Sequence, residues 1–202
     1  MQGIIQAIQQ AVQRGIQHFL ARSASQEYSA YSLYKDELRA KPLKVFISYD
    51  WDDRENVYAL YDRLTGQEGI EPKLDKKNVT VGIADKDVAA WKAKLMDAMK
   101  EADCVIICVS KESNRNRGVF KRTEVPTILK ASREEHDVTA YVLLVKLEEC
   151  PVQRRYKGWP VAEIYTEEGY DNFLNEMVKN AYKEYKVKRG LTYKSPFLDK
   201  FK

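Results

Sequence analysis

Histidine is nearly absent: the 202 residues contain two, His18 and His136, far apart in the chain. That argues against a histidine-built metal site and against a Ser–His or Cys–His catalytic pair. Cysteine is scarce as well. Cys104, Cys108 and Cys150 are an odd set without CxxC spacing. The pattern argues against a disulfide framework or a zinc knuckle and fits a reducing compartment. No apolar run is long enough to span a bilayer, and the N-terminus lacks the basic region of a signal peptide, so a cytoplasmic location is expected. Neither sign of charge dominates, with 34 Lys and Arg against 30 Asp and Glu and a formal net charge of +4. The cations are interleaved with acids, which does not call for nucleic acid.

What is present is the composition of a globular chain, 44% hydrophobic and 32% charged, with thirteen Tyr. Its length suits one domain plus an extension. Residues 2–20 place Ile4, Ile5, Ile8, Val12, Ile16, Phe19 and Leu20 on one stripe of an amphipathic helix, with Gln opposite. A second helical segment is expected over about 26–39, with Tyr28, Tyr31, Tyr34 and Leu38 on one side. These segments either pack on the domain that follows or form a self-association surface. A membrane-surface helix is disfavoured because the polar face is Gln rather than Lys or Arg.

From Lys41–Pro42 onward, strands and helices alternate. Strands are expected at Leu43–Tyr49, Ile70–Asp75, Cys104–Val109, Val138–Leu147 and Val161–Tyr165. Helices are expected after Asp52, from near Asp85 or Asp87, over Thr123–Glu134 and over Glu167–Val187. Asp52 and Glu55 read as a capping box. Pro72 places its strand at a sheet edge. The unbroken apolar run Cys104–Val109 reads as a central strand buried on both faces. The expected fold is α/β: a flavodoxin-like five-stranded parallel sheet in the order 2-1-3-4-5, with helices on both faces and an N-terminal helical extension. The expected division is an extension over 1–40, a domain over 41–188 and a basic tail over 189–202.

In such a sheet, ligands bind beyond the carboxyl ends of the strands. The turn after the first strand, SYDWDD, has no Gly, which excludes GxGxxG and the phosphate-binding P-loop. The elbow GxSxG of hydrolases is absent. A response-regulator receiver would use Asp50, Asp52 and Asp53, but its phospho-acceptor Asp is missing, because the third strand ends in Val109–Ser110.

KVFISYDWDD, the long loop leading into a helix with Trp91, DCVIICVSKES and RGVFKRTE resemble, in order, the successive signatures of a TIR domain over roughly Leu43 to Tyr185. Many TIR domains, especially microbial ones, cleave NAD+ between nicotinamide and ribose. The resemblance implies that Glu124 is the catalytic carboxylate and that Phe120, four residues earlier, stands where the family often has Trp. Gly118 is one residue further from Glu124 than in the commonest pattern. Trp91 matches the family's substrate-stacking aromatic. Tyr49 and Asp50 match positions lining the pocket, and Asp75 matches an acid ending the second strand. NAD+ is then the substrate, and no other cofactor or metal is expected. The family often completes its site across neighbouring protomers, so self-association through TIR surfaces and residues 1–40 is a further expectation. The resemblance allows two functions: an NAD+ glycohydrolase or ADP-ribosyl cyclase in microbial defence or signalling, and a non-catalytic module recruiting another TIR protein.

Overall fold

Cys104–Val109 becomes the hub of a five-stranded sheet because every one of its side chains is apolar and fits a pleat covered on both sides. The structure, a computed structural model, describes residues 29–74, 85–115, 123–134 and 138–191, with the backbone alone for 85–88. The expected helix at 2–20, both histidines and the tail beyond Leu191 lie outside the described residues. The strands are β1 (Leu43–Ser48), β2 (Ile70–Leu74), β3 (Cys104–Val109), β4 (Tyr141–Lys146) and β5 (Val161–Glu163). All pair in parallel, in the order β2-β1-β3-β4-β5. This is the expected topology, with the Pro72 strand at an edge.

The helices are α1 (Ala30–Ala40), α2 (Arg54–Thr65), α3 (Asp85–Glu101), α4 (Lys111–Arg115), α5 (Val125–Glu134) and α6 (Glu167–Lys188). On one face of the sheet, α1, α2 and α6 pack on Val45, Ile47, Cys104, Ile106, Cys108, Leu143 and Val145. On the other face, α3 and α5 cover Phe46, Val105, Ile107, Val109, Val142 and Leu144. The alternation is the period-2 geometry of a strand, and each fully buried aliphatic contributes about 1.5–3 kcal/mol.

Two expectations need correcting. Asp52 does not cap the first domain helix. Asp50 accepts the Asp52 N–H at 3.2 Å and starts a 3-10 turn, Trp51–Asp53, which runs into α2. The extra turn moves the helix start one residue on, to Arg54 after Asp53, so Glu55 falls outside a capping box. The second correction is the boundary at residue 40. Helix α1 belongs to the domain: Ala30, Tyr34 and Leu38 lie in the same core as β1 and α6. Tyr34 stacks on Tyr182 with ring centroids 3.6 Å apart. Glu37 accepts hydrogen bonds from the Tyr182 hydroxyl and the Lys186 ammonium. The helix also sits hard against the turn before β2. Gly69 has φ +82°, and a Cβ there would lie 2.6 Å from Leu38 Cβ, so only Gly fits.

The N-terminal ends of the strands meet at Asp103, which is fully buried. Its backbone N–H donates to Lys44 O at 2.9 Å, and its carbonyl accepts from Tyr141 N at 3.0 Å. Its carboxylate accepts from Lys44 N at 2.9 Å and from both terminal nitrogens of Arg189, at 2.7 and 2.9 Å. Arg189 also donates to Pro42 O at 3.0 Å and covers the Tyr185 ring at 3.9 Å. It is delivered there by the end of α6. Gly190 takes φ +62°, while Leu191 N and Gly190 N donate to Lys186 O and Val187 O, a Schellman closure. Arg189, expected in a basic tail, is therefore tied to the buried Asp103 at the base of the domain.

Removing one partner of a buried ion pair strands the other charge. Arg189→Met is expected to lower the unfolding free energy by about 3 kcal/mol, measured by urea denaturation. A loss under about 1 kcal/mol would show the pair to be dispensable.

Candidate functional site

The site is built by the parity of β1. Val45, Ile47 and Tyr49 point to one face, Phe46 and Ser48 to the other. Ser48, the last residue of β1, therefore stands on the face covered by α3 and α5, beside Ile107 of β3. Glu124 enters from that side. Thr123 and Glu124 form a π-type turn that leads into α5, with Pro126 tolerated because it needs no donor in the first turn. The Ser48 hydroxyl donates to Glu124 Oε1 at 2.5 Å, and both residues are 0% exposed.

Trp91 of α3 lies on the same face. It lines a groove of about 250 Å³ with Phe46, Leu95 and Ala98, and Lys73 and Lys94 stand at its rim. The structure thus brings Glu124 and Trp91 to one side of the sheet. Tyr49 is 1% exposed in the core of the opposite face. Asp50 is buried at the start of the 3-10 turn. Asp75 and Phe120 lie outside the described residues, as do Gly118 and most of the loop that leads to Trp91.

A second carboxylate sits at the same edge. Asp53 accepts a hydrogen bond from Ser110 Oγ at 2.8 Å, and both are buried. Ser110 caps α4, which the sequence suggested only as a charged loop. Its Oγ accepts from Ser113 N at 2.9 Å, and its carbonyl accepts from Asn114 N at 3.1 Å. Glu148 accepts the Lys111 N–H at 2.8 Å, and this contact holds its carboxyl below the ordinary range. The two serine–carboxylate pairs cross. The serine ending β1 holds an acid that follows β3, and the serine following β3 holds an acid that follows β1. Sequence reasoning named Asp53 only among the three acids a receiver would use and did not pair it with Ser110. The signal that could have found it is the third acid of DWDD read together with SKES, whose two serines stand at cap spacing.

The TIR domain family model matches residues 45–175. The chain belongs to the TIR domain family. No curated protein matches it significantly. Among solved structures, it is similar to the TIR domain of the Toll-related receptor TRR-2 from Hydra magnipapillata, at 17% identity over 66% of this chain and 96% of that one, with a TM-score of 0.46. It is also similar to a prokaryotic SEFIR domain, at 20% identity over 76% of this chain and 94% of that one, with a TM-score of 0.45. Among the described residues, no helix of this TIR domain is long and apolar enough to cross a membrane.

Chemically, the edge offers two carboxylates in different settings. Burial pushes the Asp53 carboxyl from an ordinary 3.8 up to about 6, Asp50, Glu148 and Asp52 push the same way, and the Ser110 hydroxyl opposes them. The folded chain holds this proton more tightly than the unfolded chain. Its contribution to stability is therefore fully present below about pH 4 and lost as pH rises through about 6. Asp53→Asn keeps an acceptor for Ser110 and removes the titration. The stability difference between variant and wild type is expected to move in the variant's favour by on the order of 2–3 kcal/mol between pH 4 and pH 7, followed by urea denaturation. A difference that stays constant over that range would show that Asp53 does not titrate there.

Proposed function

We propose that this TIR domain is an NAD+ nucleosidase of the microbial type, acting in defence or signalling. It breaks the bond between nicotinamide and ribose and yields nicotinamide with ADP-ribose or a cyclic isomer. The observation that carries the proposal is Glu124, a carboxylate fixed by the Ser48 hydroxyl at the carboxyl end of the central strands, on the face that also presents Trp91. In the reaction, the electron pair of the C1′–N bond leaves with nicotinamide, which departs neutral and needs no acid. Positive charge develops on the ribose, and a prepositioned carboxylate stabilises it. Water then adds at C1′ and loses a proton, or an atom of the same nucleotide closes the ring instead.

In this reading Glu124 faces the ribose, and Trp91 stacks on the substrate. Asp50, Asp75 and Phe120 complete the wall, and Tyr49 supports the strand end from the opposite face. NAD+ is consumed as substrate, and a neighbouring TIR protomer completes the pocket. The second reading is a non-catalytic TIR–TIR module. The observation favouring it is that Glu124 is 0% exposed, the burial of a carboxylate with a structural duty.

Nicotinamide release separates the two. Purified protein at high concentration is expected to release nicotinamide from NAD+, and Glu124→Gln is expected to slow this by about 100-fold or more, while thermal unfolding confirms that the variant is folded. Equal release by the two proteins would overturn the assigned role. No release, together with capture of a TIR partner, would establish the module.

A further inference from the structure

A groove of about 470 Å³ runs along the far edge of the sheet, between β5 and α6, well away from Glu124. Its apolar part is the exposed Val161 with Ala162, over the buried Phe173, and its polar lining is Asn172 and Asn175 with Glu163 and Glu176. Val161 is 41% exposed, one of the few large apolar side chains left open to solvent among the described residues. β5 is a short edge strand paired on one side alone. An edge of this kind is a place where another segment can dock.

The chain itself arrives at this groove. The described part begins at Ser29, and the first amide of α1, Ala30 N–H, donates to Asn175 Oδ1 at 2.6 Å. Asn175 is a groove residue. The described chain therefore begins at the rim of the groove. Within residues 1–28, Ile4, Ile5, Ile8, Val12, Ile16, Phe19 and Leu20 form an apolar stripe. Before Glu27, the segment's charged side chains are Arg14 and Arg22, both basic. Of the groove's two acids, Glu163 is already paired with Lys146 at 2.6 Å and with the Tyr165 hydroxyl, whereas Glu176 accepts from the neutral Asn180 amide and keeps its charge uncompensated by that contact. The link over 21–28 can span about 27 Å when extended, enough to lay the stripe along either wall.

We propose that the groove between β5 and α6 is the docking site of the chain's own residues 4–20, held by the apolar stripe and by attraction between Arg14 or Arg22 and Glu176. The extension is then folded back on its own domain and covers the open edge of the sheet. A second copy of the chain can reach this edge when the segment leaves it.

The test uses the full chain carrying Val161→Cys, with the introduced thiol titrated by the disulfide reagent DTNB. The three native cysteines are buried, and burial pushes their thiols up, so wild type supplies the blank. A docked segment is expected to slow the introduced thiol. Adding Ile8→Glu and Val12→Glu to break the stripe, or Glu176→Arg to reverse the rim, is expected to speed the reaction by about tenfold, at a rate independent of protein concentration. Unchanged far-UV circular dichroism confirms the fold in each variant. A rate unmoved by either change would overturn the proposal. A slow reaction that becomes fast on dilution would overturn it in favour of a second copy as the occupant.

Discussion

A fully buried carboxylate holds the base of this domain together. Asp103 is 0% exposed, and a charge taken out of water is tolerated only when its oxygens are occupied by strong donors. The bidentate guanidinium of Arg189 and the Lys44 amide supply them. The same residue joins β1, β3 and β4 through its backbone and side chain, and Arg189 ties them to Pro42 and the end of α6. A parallel sheet has no hairpins to set its register, so a lock at the amino ends of three strands fixes where their carboxyl ends finish. The geometry of the opposite edge follows from it.

At that edge the arrangement is crossed rather than convergent. Ser48 and Ser110 terminate neighbouring strands, and each donates to an acid brought in by the segment after the other strand. The turn that leads into α2 and the turn that leads into α5 are thereby braced against each other across β1 and β3. The two acids differ in their surroundings. Burial raises the proton affinity of Asp53, and its neighbours Asp50, Glu148 and Asp52 add to the effect. Glu124 lies under the cover of α3 and α5 with a hydroxyl donor. Unlike environments for like groups are how a fold assigns separate tasks to carboxylates.

The sheet was legible in the sequence because its signals are local. Apolar runs, a proline in an edge strand and helical periodicity between them are read within ten residues. What was not legible depends on distant partners. Nothing near Arg189 points to Asp103, eighty-six residues away, so a buried ion pair passed for a basic tail. The tyrosines of α1 read as a self-association surface ahead of packing in cis, until Tyr182 stands opposite Tyr34. Glu124 became a candidate through resemblance to TIR domains, since an acid in a first helical turn is favoured by the helix dipole alone. Tyr49 is different. Counting alternately from Phe46 already sends it to the opposite face, and the motif match obscured that parity.

The alternation of β1 also makes the sheet a two-position switch that must never move. Ser48 and Tyr49 are neighbours facing opposite ways, so a shift of β1 by a single residue would exchange them. A phenol ring would then be driven toward Glu124, and a small hydroxyl would be left in a core sized for an aromatic. The geometry of this edge therefore depends on register fidelity as much as on the identity of the side chains that meet there. Residues remote from the edge, those that set the phase of β1 against β3, thereby decide which of Ser48 and Tyr49 faces Glu124.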